Sequence, residues 1–158
     1  MKYFIYGDFD LLHRGHLSLL EYCQSLKAAS DKMKQQGRVH IDTWGEVIIG
    51  LSSDKTISKI KGRGRPITKQ DDRAFALKTL PFVDTVRVYE NNPCKLIKEL
   101  EPYLILRGSD SEEDIWMHSF GEKMQNKEIT KGYDVKVYPS LKGYGTTEII
   151  NEILSNRN

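Results

Sequence analysis

The stretch YGDFDLLHRGHLSLL, residues 6–20, decides the fold, because an apolar strand ends within it and a helix begins. The preceding residues KYFIY are rich in aromatic and β-branched side chains and stop at Gly7, which predicts a buried first strand. From His16 onward, apolar residues recur at spacings of three and four, which predicts an amphipathic helix that ends at Gly37. His13 and His16 therefore lie at the junction between the predicted first strand and the predicted first helix.

The rest of the chain alternates in the same way between strands and helices. EVIIGLSSD, DTVRVYE, PYLILRGSD and YDVKVYP predict four more strands, three of them with the continuous apolar cores of a sheet covered on both faces. Such alternation implies right-handed crossovers between parallel strands. We therefore predict one α/β domain over residues 1–158, a Rossmann-like doubly wound fold with a five-stranded parallel sheet.

Local signals place the later helices. TKQDDRAFALKTL begins with Thr68 as a predicted N-cap, and NNPCKLIKEL carries Pro93 at its predicted first helical position. EEDIWMHSFGEKMQ and TTEIINEILSN predict the last two helices. Residues 32–46 form a connection longer than a tight turn before the second strand, and we expect a peripheral hairpin or an oligomer contact there.

Composition excludes several classes of partner. The formal net charge is +2, from 24 basic and 22 acidic side chains, so no global field recruits nucleic acid or a membrane. Cys23 and Cys94 lack the spacing of a disulfide framework or a zinc site, which fits a reducing cytosol. No signal peptide or membrane span is visible, and we expect a cytoplasmic protein.

The two histidines predict a phosphate site. Gly7 permits a tight exit from the strand, Gly15 lets backbone approach a ligand, and His16 lies near a helix N-terminus that favours anions. His13 and His16 could then stabilise charge that develops on a phosphoryl group. The alternative is a purely structural pair at the start of a helix.

Three further motifs follow strands at the same predicted sheet edge, where open α/β sheets bind ligands. After the second strand, a basic loop carries four cations interleaved with glycines, and it predicts a mobile lid over phosphates, with a solvated loop as the alternative. RGSD ends the fourth strand, and GTT precedes the last helix, where Thr146 and Thr147 predict an N-cap and a phosphate seat. The loop cations are Lys59, Lys61, Arg63 and Arg65.

These motifs together resemble those of the cytidylyltransferase-like nucleotidyltransferases. GDFDLLHRGH resembles the family signature GxFDxxHxGH, and SSDKTISKIKGRGRPITKQDDRAFALKTLPFVD is similar to a family stretch that runs from SD through KGxxRP to a dR…L…VD helix. LEPYLILRGSD is similar to a strand that ends in KGGD, and GYGTTEIINEI to a closing STTxII helix. The branch with heptose-1-phosphate adenylyltransferases is the most similar, and glycerol-3-phosphate cytidylyltransferases are close to it.

The resemblance implies a nucleoside triphosphate and a phosphorylated small-molecule acceptor as substrates. His13, His16 and Lys61 are implied as the catalytic residues, and Asp10 is implied to hold Mg²⁺ directly or through water. It also implies a homodimer, because relatives commonly form dimers. The residues implied to bind the nucleotide are Gly7, Asp8, Phe9, Gly15, Lys59, Arg65, Arg107, Gly108, Asp110, Gly145, Thr146 and Thr147.

This sequence departs from the family pattern at several positions. Asp8 stands where the family has Thr or Cys, which puts a carboxylate beside phosphates unless a metal or a basic side chain offsets it. We interpret Asp8 as a second metal contact. Gly145 replaces a Ser, Arg107 replaces a Lys, and Ser140 stands where the cytidylyltransferases carry an Arg after the proline of the fifth strand.

Because Ser140 lacks a guanidinium group, we predict ATP as the donor and a sugar 1-phosphate as the acceptor. The alternative is a CTP-dependent glycerol-3-phosphate or other polyol-phosphate cytidylyltransferase, since Lys142 could reach a pyrimidine carbonyl. A second alternative is a nucleotide-binding module without turnover. HRGH also resembles the HIGH signature of class I aminoacyl-tRNA synthetases, but the chain lacks a basic face.

Overall fold

The computed structural model describes residues 1–38, 45–108, 132–139 and 141–156, and it contains a five-stranded, fully parallel sheet. The strand order is β3-β2-β1-β4-β5, so the first strand lies in the middle and the chain crosses to either side of it. The predicted α/β fold with its parallel sheet is confirmed. The strands are β1 (Lys2–Gly7), β2 (Glu46–Ser52), β3 (Thr85–Tyr89), β4 (Leu104–Gly108) and β5 (Asp134–Tyr138).

Helices fill the connections between the strands in the described ranges. A long first helix follows β1, two short helices separate β2 from β3, and one more precedes β4. A last helix follows β5. The helices are α1 (Arg14–Gln35), α2 (Asp54–Lys61), α3 (Gln70–Lys78), α4 (Cys94–Leu100) and α5 (Thr146–Ser155).

The core has two layers, one on each face of the sheet. Along β1, Tyr3 and Ile5 point to one face and Phe4 to the other, as the period of two in a strand requires. The layer of Tyr3 and Ile5 includes Leu20 of α1, and the layer of Phe4 includes Ile97 of α4. Because both faces are covered, the central strands are apolar throughout, which explains why their sequences lack alternation.

The segment after β2 differs from the predicted basic loop, because residues 54–61 form α2. Ser53 caps this helix, and its hydroxyl accepts a hydrogen bond from the Thr56 backbone N–H. Lys59 and Lys61 are therefore helical residues, and the loop begins only at Gly62. The prediction of one continuous loop was wrong, because Ser53 caps a helix in the first part of this segment.

Two predicted N-caps are also wrong. Lys69, and not Thr68, is the N-cap of α3, and the Thr68 backbone N–H donates to Asp10. Gly145 is the N-cap of α5, so Thr146 and Thr147 are its first two helical residues. Both threonines bond to Asp10, a distant residue that local sequence signals do not include.

Helix α1 agrees with its prediction to within two residues at each end. It begins at Arg14 rather than His16 and ends at Gln35, just before Gly37, whose φ of 66° terminates it. Met33, near the end of the helix, is 45% exposed.

Some expectations fall on residues outside the described ranges. Part of the 32–46 connection (residues 39–44), the helix expected within EEDIWMHSFGEKMQ, Asp110 and Ser140 lie there. Helix α1 takes up residues 32–35, so the connection itself starts later than predicted. In the part of the chain that the structure describes, no helix is long and apolar enough to cross a membrane.

Candidate active site

A pocket of about 620 Å³ opens at the carboxyl edge of the sheet. The last residue of every strand lines it, and β1 is flanked there by β2 on one side and β4 on the other. This is the switch point at which parallel sheets bind ligands, because the connections diverge to opposite sides and leave a crevice. The five strand-terminal residues in the wall are Gly7, Ser52, Tyr89, Gly108 and Tyr138.

His13 is the N-cap of α1, and this role fixes its tautomer. Its backbone is extended, and its Nδ1 accepts a hydrogen bond from the Gly15 N–H at 3.1 Å. An imidazole nitrogen that accepts carries no proton, so in the neutral ring the proton is on Nε2. The pKa of His13 is below its ordinary value, because the effect of burial outweighs the opposing effect of the Glu148 carboxylate. His13 therefore lines the pocket as a neutral ring with its N–H donor at Nε2.

His16 lies one turn along α1 and stacks on His13, with ring centroids 3.8 Å apart. Burial lowers the pKa of His16 to about 3, with a further contribution from His13, so the ring is neutral at physiological pH. Its Nδ1 is buried and has no hydrogen-bond partner among the described residues. Because buried polar atoms nearly always have partners, this nitrogen is a candidate for contact with a ligand.

Asp10 binds the loop that follows α2. Its carboxylate accepts hydrogen bonds from Arg65 Nε at 3.0 Å, from the Thr68 N–H at 2.9 Å and from the Ile67 N–H. Arg65 Nη2 adds an ion pair at 3.0 Å without hydrogen-bond geometry. Burial alone would raise the pKa of Asp10, but the backbone donors and Arg65 outweigh it and lower the pKa. Asp10 thus fastens residues 65–68 to the loop after β1.

This arrangement does not fit Asp10 as a direct ligand of Mg²⁺. The side chain is 1% exposed, and both of its oxygens face N–H donors that a cation would have to displace. Within the described ranges, no group of three or more His, Cys, Asp or Glu side chains is arranged to hold a metal. The predicted phosphate contact of Arg65 meets the same difficulty, because its guanidinium is already held by Asp10.

Asp8 forms an ion pair with Lys61, the last residue of α2. The Nζ of Lys61 lies 2.9 Å from Oδ2 of Asp8, and the side chains are 28% and 22% exposed. Both residues line the pocket. A basic side chain therefore offsets the carboxylate that looked out of place in the sequence.

The start of α5 closes the pocket from the other side. Thr146 donates its hydroxyl to the Asp10 carbonyl at 2.7 Å, which joins the last helix to the first loop. Gly145 is in contact with the side chain of Glu148, and a Cβ at position 145 would lie only 2.2 Å from a carboxylate oxygen. This chain therefore has no room for a serine at position 145 unless Glu148 moves.

Gly15 is required by a close approach of protein rather than of ligand. A Cβ there would lie 3.0 Å from both the His13 ring and the Tyr144 carbonyl. Arg14, beside it, places its guanidinium 5.4 Å from the centre of the Tyr144 ring. The loop before α5 thus packs directly on the start of α1.

The family assignment follows from a comparison with known sequences. A sequence model of the family described as Cytidylyltransferase-like matches residues 4–152, nearly the whole chain. The chain belongs to the cytidylyltransferase-like family. The resemblance drawn from GDFDLLHRGH and the later motifs is therefore confirmed, and the matched residues include every element described above except the first and last few residues.

Curated relatives of this cytidylyltransferase-like chain include the bifunctional protein HldE of Campylobacter fetus, which is 35% identical over 151 residues. HldE of Helicobacter pylori strain J99 is 33% identical over 156 residues. The matches cover 95% and 98% of this chain but only 27% and 28% of those proteins. The chain thus spans about a quarter of the length of these relatives.

Two solved structures share the fold. The lipopolysaccharide core biosynthesis protein from Thermoplasma volcanium aligns with a TM-score of 0.59 at 21% identity, over 90% of this chain and 97% of that one. A universal stress protein in complex with cAMP aligns with a TM-score of 0.51 at 14% identity, over 89% of this chain and 98% of that one. At these identities the likeness concerns the fold alone.

The structure brings most of the predicted cytidylyltransferase-like site residues into one pocket. Lys59 is exposed on α2, and neither it nor Arg65 or Arg107 is part of the pocket lining. Asp110 lies outside the described residues. The predicted residues that line the pocket are Gly7, Asp8, Phe9, Asp10, His13, Gly15, His16, Lys61, Gly108, Gly145, Thr146 and Thr147.

Sequence reasoning missed Arg73, which is 2% exposed. Its guanidinium donates to the carbonyls of Asp8, Ser52 and Thr68 and to the carboxylate of Asp54. The signal was its position four residues before Leu77, which puts an arginine on the buried stripe of α3. Also missed were Tyr6, Tyr89, Tyr138 and Glu148 in the pocket wall.

Proposed function

We propose that this chain transfers a nucleoside monophosphate from a nucleoside triphosphate to a phosphorylated acceptor and releases pyrophosphate. Family membership supports an enzyme of the nucleotidyltransferase class. The observation that carries the proposal is the stacked His13–His16 pair in the pocket, with one nitrogen fixed as a donor and another buried without a partner in the described structure.

The reaction needs no covalent intermediate with the protein. An oxygen of the acceptor phosphate bonds to the α-phosphorus, the bond from that phosphorus to the bridging oxygen breaks, and pyrophosphate leaves with the electron pair. The protein therefore has to position the two substrates and neutralise charge. Neutral His13 and His16 supply N–H donors, Lys61 supplies a cation, and the N-terminus of α5 supplies free backbone N–H groups.

For the donor we propose ATP, with a sugar 1-phosphate as the acceptor. The motif resemblance to the adenylyltransferase branch supports this choice, together with the serine at position 140. A second candidate is CTP with glycerol 3-phosphate or another polyol phosphate. A specific observation favours it, since Lys142 lines the pocket and offers a donor to a pyrimidine carbonyl.

That the reaction requires Mg²⁺ stays a prediction. It is tested by whether excess chelator abolishes the activity. When bound to a triphosphate, Mg²⁺ would neutralise part of its charge. Because Asp10 does not fit as its ligand, no step proposed here depends on a protein-bound metal. A homodimer also stays a prediction, and sedimentation velocity of the purified chain tests it.

The deciding experiment measures pyrophosphate release with ATP or CTP and a panel of sugar 1-phosphates and polyol phosphates. We expect turnover with ATP and at least one sugar 1-phosphate. Calorimetric titration of both nucleotides accompanies it. CTP binding ten times tighter than ATP, about 1.4 kcal/mol, would overturn the choice of nucleotide. Nucleotide binding without turnover across the panel would instead favour the binding module.

A further inference from the structure

The charges in the pocket wall are unusual for a site that binds a polyphosphate. Among the described residues, three carboxylates line the pocket (Asp8, Asp10 and Glu148) against two ammonium groups (Lys61 and Lys142). An anionic ligand would normally require an excess of cations. The partners of each carboxylate therefore decide how much positive charge a polyphosphate meets.

The two carboxylates of the GDFD motif each hold one cation of the segment KGRGR, but in different ways. Asp10 is buried and binds Arg65 together with two backbone N–H groups, so that contact is part of the fold. Asp8 makes a single contact with Lys61, and both side chains remain partly exposed in the pocket. Only the second of these contacts can be exchanged for a ligand without disturbing the backbone.

The position of Lys61 allows such an exchange. It is the last residue of α2, and the next residue, Gly62, has a φ of 87° with open space where a Cβ would be. The other end of α2 is held by Ser53 and by the ion pair of Asp54 with Arg73. Because Ser58 ties the last turn of α2 to the Arg65 carbonyl, the exchange requires only the Lys61 side chain to move. The backbone of Asp8 is held through its carbonyl by Arg73.

We propose that Asp8 competes with the polyphosphate for Lys61 and so sets the affinity of the site for its donor nucleotide and for pyrophosphate. An incoming triphosphate takes the Lys61 ammonium from Asp8. After transfer, Asp8 pairs with Lys61 again. Pyrophosphate then loses its contact with the Lys61 ammonium and leaves faster. The inference rests on the proposed function. It deepens that function by identifying Asp8 as a residue that weakens the binding of the polyphosphate.

The test measures binding of inorganic tripolyphosphate in metal-free buffer by calorimetry, and then of ATP and CTP with and without Mg²⁺. Asp8→Asn removes the charge with little change in shape, and Asp8→Glu keeps the charge. We expect Asp8→Asn to bind tripolyphosphate about two- to fivefold more tightly than the wild type, which is the range for a partly exposed ion pair. Lys61→Met should bind it more weakly.

Matched controls come from exposed residues near the site. Asp72→Asn on α3 removes an exposed carboxylate, and Lys55→Met removes an exposed lysine from α2 itself. Both should leave binding unchanged. In steady-state assays, Asp8→Asn should lower KM for the nucleotide and slow the release of pyrophosphate, which a merely structural role would not do. Asp8→Glu should behave more like the wild type.

Several outcomes contradict the proposal, and they are distinguishable. Unchanged or weaker tripolyphosphate binding by a folded Asp8→Asn protein overturns the role of Asp8 alone. Weaker nucleotide binding that appears only with Mg²⁺ identifies Asp8 as a metal contact and overturns the competition. A wild-type protein that binds neither tripolyphosphate nor nucleotide overturns the proposed function, and the competition with it.

Discussion

At the scale of single residues, the histidine pair shows how position on a helix determines chemistry. His13 caps α1 with one ring nitrogen, so only the other can donate to a ligand. His16 is packed between His13 and Phe9, whose ring centroid is 5.2 Å away. Enclosure by two rings explains why His16 stays neutral, since a charged imidazole would lose its hydration there.

The first prediction concerns His16→Ala. We expect kcat to fall about a hundredfold or more while nucleotide affinity changes much less, because a donor aimed at developing charge acts mainly in the transition state. Steady-state kinetics with calorimetry measures both. Ser25→Ala, on the exposed face of the same helix, is the control. An unchanged kcat would show that His13 and His16 have a structural role and not a catalytic one.

The second prediction concerns pH and the same side chain. Folded His16 has a pKa of about 3, whereas the unfolded chain takes up a proton below its ordinary value of 6.5. Stability is therefore complete above pH 6.5 and falls as the pH is lowered toward 3, with a contribution from His16 of about 1.4 kcal/mol per pH unit. Urea unfolding at a series of pH values should show a steeper fall for the wild type than for His16→Gln. Equal slopes of unfolding free energy against pH for the two proteins would contradict this role of His16.

At the scale of elements, the loop between α2 and α3 is a fastened segment rather than the mobile lid expected from its glycines. Asp10 binds it through Arg65 and two backbone N–H groups, and Ser58 of α2 donates its hydroxyl to the Arg65 carbonyl. The sequence alone predicts that loss of Arg65 leaves stability unaltered. The structure reverses this expectation, because the partner of Arg65 is a buried carboxylate.

The third prediction follows from that contact. Asp10→Asn and Arg65→Met should each lower the free energy of unfolding by about 3 kcal/mol in metal-free buffer, since each leaves a buried charge without its partner. The double variant should cost much less than the sum of the two single variants. Asp72→Asn, which removes an exposed carboxylate, serves as the control. Additive effects would show that Asp10 and Arg65 do not act as a pair.

The elements that sequence reasoning placed correctly are those with long apolar signals. Strands β1, β2 and β4 were found because burial on both faces of the sheet requires a continuous apolar run, and helix α1 was found because its apolar residues recur at spacings of three and four. Helix α2 was missed because it is short and basic, and only Thr56 and Ile57 are buried in it. The partners of Asp8 and Asp10 could not be predicted, because each contact joins residues more than 50 positions apart.

At the scale of the whole molecule, Arg73 connects the parts that form the site. It binds carbonyls at the ends of β1 and β2, the carbonyl of Thr68, and the carboxylate of Asp54. These four groups belong to segments that meet only in the folded chain. One buried guanidinium therefore sets the relative positions of the histidine loop, helix α2 and the loop bound by Asp10.

The fourth prediction is that Arg73→Met lowers the free energy of unfolding by about 4 kcal/mol, because it leaves buried acceptors without donors. Arg73→Lys should not restore stability, since an ammonium cannot reach four acceptors spread over the plane of a guanidinium. Arg87→Met is the matched control, because Arg87 pairs with Glu99 at an exposed site and should cost less than about 0.5 kcal/mol. Chemical denaturation of the three variants measures these differences.

The central place of β1 also affects how the chain is made. Its neighbour β2 follows after a single helix, but Tyr3 is in register with Leu104 of β4 on the other side. At about 5–20 residues per second, a ribosome adds the intervening stretch of about 100 residues in roughly 5–20 seconds. During that time one edge of an apolar strand has no neighbour in the nascent chain. Crowded translation should therefore favour pairing between copies, and slower expression or a chaperone that shields this edge should raise the yield of folded protein.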